Sequence, residues 1–221
     1  MSYNIYLQLQ PETHHRFREL HSRLNAGDQI SLAKPLGENL ADMACEIIEQ
    51  VFGQVARLST SQDHESEKVI QQILDTIHKY MPWSVSFFAN QRLLPLVNYL
   101  YDLTHENEGD YFMRYPVEPH LVTDLLSYAY DMKAGNQHAV SLALKAFIEV
   151  VDQGVTHLVR QPKSILKFNV VVDKTLNGVI NLTTQLGYKR FDKLGSIYDV
   201  HTMSHYFEHF LAFLEDEVRV C

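Results

Sequence analysis

One signal dominates this chain: apolar residues recur every three or four positions almost from end to end, and strict alternation is nearly absent. Leu36, Leu40, Met43, Ile47, Val51, Val55 and Leu58 form one such row. Val140, Leu144, Phe147, Val151, Val155 and Leu158 form a second, and Ile165, Phe168, Val172, Leu176, Val179, Thr183 and Leu186 a third. A helix bearing such a row keeps one face buried along its length, whereas a strand would turn every second of these side chains outward. The expected fold is therefore all-α.

Proline and glycine mark the element ends. Pro11 suits the first turn of a helix running to about Asn25, with Gly27 beyond it. A second helix covers about 36–58, and 59–63 reads as a turn. A third covers about 66–81 and stops at Pro82. Residues 83–104 are the most apolar stretch, and Pro95 inside it predicts a kink or two short helices. Pro119 opens a helix ending near Lys133, with Gly135 as its cap. A long helix then stops before Pro162, and the next stops at Gly187. The short joint between these two amphipathic helices predicts an antiparallel hairpin. A last helix covers about 196–220. Residues 1–10 alternate weakly and read as extended, and 105–118 read as irregular. The sum is seven to eight helices in a single helical-bundle domain, 1–221.

Composition narrows the class. The formal charge is −8 and 46% of residues are hydrophobic, which excludes a disordered chain. The acidic balance argues against nucleic acid, because neutralising phosphates needs clustered bases. No run approaches 18 apolar residues, so a membrane partner is not expected. Two cysteines and no signal-like start point to the cytoplasm. The charge is uneven, however: 145–193 holds eight bases and four acids. A solvated helix face explains this excess, and a site for an anion or an acidic partner is the functional alternative. Cys45 sits opposite Leu36 on a helical wheel, so it and the terminal Cys221 read as surface thiols.

No phosphate loop, nucleophile elbow or paired-cysteine motif is present. The unusual count is 12 histidines. His201, His205 and His209 follow i, i+4, i+8 spacing opposite the apolar stripe of the last helix, beside Glu208. A histidine pair one turn apart suits a divalent metal, with Glu208 as a further ligand. The plainer readings of this ladder are a polar exposed face or a partner interface. Glu12/His15, Asp75/His78 and Asp102/His105 share carboxylate-x-x-His spacing, but only one has Glu, which falls short of a di-iron set. His14, Phe17, His21 and Leu24 step by three or four, so His21 borders a buried stripe. It reads as a core-edge residue, or alternatively as an axial haem ligand. An all-α chain with an early histidine invites comparison with haem oxygenases. Their distal helix is glycine-rich, whereas 125–135 here offers one glycine, so membership is not assigned. Tyr99, Tyr101, Tyr128, Tyr130, Trp83, Phe87 and Phe88 read as core, or as the lining of a pocket for a small apolar ligand. Twelve histidines also open a route to pH response.

The expectation is a non-enzymatic binding, interaction or regulatory protein that meets a protein partner or a second copy of itself. The alternative is a haem- or metal-binding redox protein using His21 or the His201/His205 pair.

Overall fold

The computed structural model describes residues 3–53 and 64–216. It is mainly helical, as the periodicity predicts. In chain order the elements are β1 (Tyr3–Leu9), α1 (Pro11–Asn25), α2 (Ala33–Ile48), α3 (His64–Val85), α4 (Asn90–Asp102), β2 (Thr104–Asn107) and β3 (Asp110–Val117). Then come α5 (Pro119–Lys133), α6 (Gln137–Val155), α7 (Gln161–Leu166), α8 (Val170–Ile197), α9 (Val200–Leu211) and β4 (Leu214–Asp216). Among the described residues no helix is long and apolar enough to cross a membrane.

Where the punctuation is local, the helix ends fall where expected. Pro11 and Pro119 each occupy the first turn of their helix. Gly27 (φ +75°) and Gly135 (φ +86°) take the left-handed conformation after α1 and α5, where a side chain would be strained. Asn136, Asn169 and Asp199 accept backbone N–H bonds at the starts of α6, α8 and α9, satisfying otherwise orphaned donors.

Four expectations need correction. The segment 105–118 is not irregular but forms the antiparallel pair β2–β3, turning at Glu108 and Gly109, both at positive φ. That turn conformation matches the twist of the strands, and Glu-Gly is a weaker signal for it than Asn-Gly. β1 pairs with β3 on one side and β4 on the other, giving the order β2-β3-β1-β4. The prolines inside helices do not end them: α3 runs through Pro82 to Val85, and α4 runs through Pro95 without a break. The joint near Pro162 is misplaced. α6 leads through a wide π turn, Thr156–Arg160, straight into α7, and the break comes at Lys167 (φ 49°). From there α8 passes through Gly187 and on to Ile197. Finally, the last helix stops at Leu211, and Leu214 pairs with Ile5 in the sheet. The expected continuations at 54–58 and 217–220, and Cys221, lie outside the described residues.

A second π turn, Glu49–Gly53, follows α2. A π turn shifts the helical bonding register and leaves carbonyls to be satisfied from elsewhere. Both turns are served by tyrosine hydroxyls from distant elements. Tyr206 of α9 donates to the Val51 carbonyl (3.0 Å), and the Tyr99 hydroxyl of α4 is shared between the His157 carbonyl (3.0 Å) and the Gln161 side-chain oxygen.

The buried apolar residues form two clusters. One gathers Ile5, Leu7, Tyr115, Phe147, Phe207 and Phe210 among others, and joins the sheet to α5, α6, α8 and α9. The other gathers Leu9, Phe17, Leu36, Leu93, Val97 and Met113, and joins the sheet to α1, α2 and α4. α2 and α3 approach closely at Gly37, where an added Cβ would lie 2.5 Å from the Pro82 Cα and 2.7 Å from the Val85 Cγ2. The Pro82 backbone cannot yield cheaply at that separation. Gly37→Ala should therefore lower stability by about 2–3 kcal/mol despite Ala's better helix propensity. Urea unfolding of the two proteins checks this, and an unchanged midpoint would contradict the close approach.

Candidate functional site

α5 and α9 present neighbouring outward stripes. On α5, Leu126, Tyr130 and Lys133 follow i, i+4, i+7 and so share one side of the helix. They lie off its buried stripe of Leu121, Val122, Leu125, Ala129 and Met132. Leu126 is 48% exposed and Tyr130 is 75% exposed. On α9, His201, His205 and Glu208 follow the same spacing and face away from buried Met203, Phe207 and Phe210. The Lys133 ammonium meets the Glu208 carboxylate at 3.0 Å and ties the two stripes into one surface. Lys133 holds the Glu208 carboxyl below its usual range, with His205 adding to the effect.

The histidine ladder divides. His201 and His205 are exposed, with ring centres 4.7 Å apart edge to face. The His205 Nδ1 lies 3.3 Å from a Glu208 oxygen. His209 is separate: it is half-buried, its Nε2 is 3.3 Å from the Gln50 carbonyl, and its ring meets Phe213 edge-on. It therefore helps satisfy the π turn after α2 instead of extending an exposed row. Among the described residues no group of three or more His, Cys, Asp and Glu is arranged to hold a metal ion.

His21 lies at the core edge, flat against Tyr101, with ring centres 3.9 Å apart and planes 1° apart. It belongs to a row of contacts from α1 to the β2–β3 hairpin and α4. His14 stacks on Tyr111 (4.0 Å), Arg18 pairs with Glu106 (3.4 Å), and His21 stacks on Tyr101. Such π contacts add modestly to the area they bury. His15 adds a 3.2 Å bond to the Tyr111 hydroxyl, and His105 packs edge-on against Tyr6. Of the carboxylate-x-x-His histidines, His15 and His105 are thus each engaged with an aromatic partner.

Cys45 corrects an expectation. It is buried, because α2 is covered on more than one side, and burial followed by Asp42, Glu49 and Glu46 pushes its thiol up to about 12. A thiol held that high is a poor nucleophile. The aromatic residues expected to cluster are spread out: Tyr130 and Phe87 are exposed, and Tyr99 serves a π turn. Sequence reasoning missed Leu126 and Tyr130 as a site: Tyr130 was expected in the core, whereas both are exposed, off the buried stripe of α5.

Comparison with protein-family models, curated proteins and solved structures finds no match for this chain.

His14 is the most deeply buried of these histidines, 2% exposed, with its Nδ1 unbonded inside the protein. Burial, then Arg18 and His15, hold its pKa below 6.5, outweighing Glu106. The unfolded chain therefore takes up a proton at this residue before the folded one does. The associated stability is present above the unfolded value and is lost as pH falls toward the folded one. The denaturation midpoint should drop between about pH 7 and pH 5.5, and His14→Phe should flatten that slope while keeping the Tyr111 stack. Urea melts across this range provide the measurement; an equal slope in the variant would assign the effect elsewhere.

Proposed function

We propose that this chain is a binding protein that engages another protein surface through the α5/α9 face. The observation that carries the reading is the exposure of Tyr130 and Leu126 beside His201 and His205, joined by the Lys133–Glu208 pair. Tyrosine is enriched among the residues that dominate interface energetics, and a mixed apolar and polar patch suits an interface that forms and separates. A second copy of the chain is the first partner to test, because opposite charges side by side let one patch complement itself across a two-fold axis. The redox alternative has weaker support. His21 is covered by Tyr101, and the Glu208 that would join His201 and His205 is shared with Lys133.

If the face self-associates, sedimentation velocity should reveal a concentration-dependent dimer that Tyr130→Glu weakens by about tenfold or more. Helix content should stay unchanged, because the side chain is exposed. A monomer at every concentration, for wild type and variant alike, would leave only a different protein as partner.

A further inference from the structure

A second surface patch, the tip, gathers exposed apolar residues with a basic border. Three chain segments meet there: 26–34, 86–92 and 163–174. Hydrogen bonds and ring contacts join them. Asn90 donates to the carbonyls of Asp28 and Ile30 (2.7 Å each) and accepts from the Leu32 N–H (2.9 Å). Arg92 lies over the Phe88 ring and donates to the Leu166 carbonyl (2.6 Å). Phe88 in turn packs edge-on against Phe168 (5.1 Å). On this pinned base four large apolar side chains face outward: Ile30 (68% exposed), Phe87 (53%), Val170 (70%) and Val171 (75%). Scattered exposed apolar residues are ordinary, but four on segments bonded to one another are not. Trp83, the only tryptophan in the chain, stands beside Phe87 at 5.0 Å.

The charge around the tip opposes that of the whole. The three segments carry five bases (Lys34, Arg92, Lys163, Lys167, Lys174) and two acids (Asp28, Asp173), a local +3 on a chain of −8. Both acids are already engaged, Asp28 by Arg23 (2.8 Å) and Asp173 by Lys163, and Lys34 is paired with Glu38 just beyond its segment (3.8 Å), so the unpaired excess lies on Arg92, Lys167 and Lys174. No acid on these segments is left to neutralise Lys167 or Lys174, both of which are exposed. Val170 and Lys174 lie one helical turn apart on α8, so apolar and basic side chains share one side of the same helix start.

We propose that this tip docks on the surface of an anionic lipid bilayer. Ile30, Phe87, Val170 and Val171 enter the headgroup region, and Lys167, Lys174 and Arg92 meet lipid phosphates. Charge complementarity selects this occupant. A basic border attracts an anionic surface, and shallow apolar insertion adds affinity that charge alone lacks. A second copy of this acidic chain would bring net negative charge to the contact, but its own tip would bring the same positive border and repel. This proposal departs from the expectation of no membrane partner, which rested on the absence of a spanning run; peripheral docking needs none.

The test uses the full chain with two kinds of vesicle, phosphatidylcholine alone and phosphatidylcholine containing about 30% phosphatidylserine. Co-sedimentation should show binding to the serine-containing vesicles, weakened by added salt. Trp83 emission should shift to the blue as Phe87 enters the interface. The Val170→Asp/Val171→Asp double variant should lose binding roughly tenfold or more, and it should fold, because acids in the first turn of a helix are favourable. Lys167→Glu/Lys174→Glu should lose binding by a similar factor. Tyr130→Glu should bind vesicles like wild type, which separates this surface from the α5/α9 face. Absence of vesicle binding, equal binding to both vesicle types, or undiminished binding by the Val170/Val171 variant would each overturn the proposal. So would a dimer that the Val170/Val171 variant alone dissociates, which would assign the tip to a second copy.

Discussion

The structure depends on the pairing of β1 with chain segments far from it in sequence. Tyr3 to Leu9 hydrogen-bonds along one edge with Tyr111 to Val117 and along the other with Leu214 to Asp216. Its side chains feed both apolar clusters, Ile5 and Leu7 into one and Leu9 into the other. A strand that joins the start, middle and end of a mostly helical chain must wait for loop closures over long separations. Their entropy is recovered only when the helices pack around it. The helical units on either side each have a buried stripe, but β1 sets their common reference.

The π turns extend the same theme. Each leads out of a long helix, and each is bonded by a side chain from another part of the fold: Tyr206 to Val51, with His209 near Gln50, and Tyr99 to His157. A buried carbonyl without a donor is expensive, so these bonds matter more than their number suggests. They also account for His209, which belongs to the packing around α2 and not to the exposed pair above it. The histidines therefore serve several roles. Some stack on tyrosines along α1, one supports a π turn, and two stand exposed beside Glu208.

Legibility followed the range of the interaction. α1 and α5 were readable to the residue because Pro11, Gly27, Pro119 and Gly135 act within a turn of where they sit. Pro82 and Pro162 misled, since packing and a π turn carried the helix past each of them, while Pro95 lies inside one helix and does not divide it into two. The β2–β3 hairpin was missed because Glu108-Gly109 is a weak turn signal and its strands are short. Part of the candidate site was readable too. Wheel geometry placed His201 and His205 outward and His21 at a core edge, and it could have placed Leu126 and Tyr130 outward as well. Burial of Cys45 was not readable from one helix's stripe, because a second neighbour covers the opposite side.

By itself the sequence determined that the chain would be mostly helical, which faces of its helices are apolar, and where helices bounded by local caps begin and end. Those properties arise from the 3.6-residue period and from single-residue backbone preferences. The tertiary structure alone decided the four-stranded sheet, the π turns and the separation of His209 from its neighbours. It also decided the joining of three distant segments into an apolar tip edged with lysines. Apart from the local β2–β3 turn, each of these rests on contacts between residues tens to hundreds of positions apart, and no local propensity encodes such contacts.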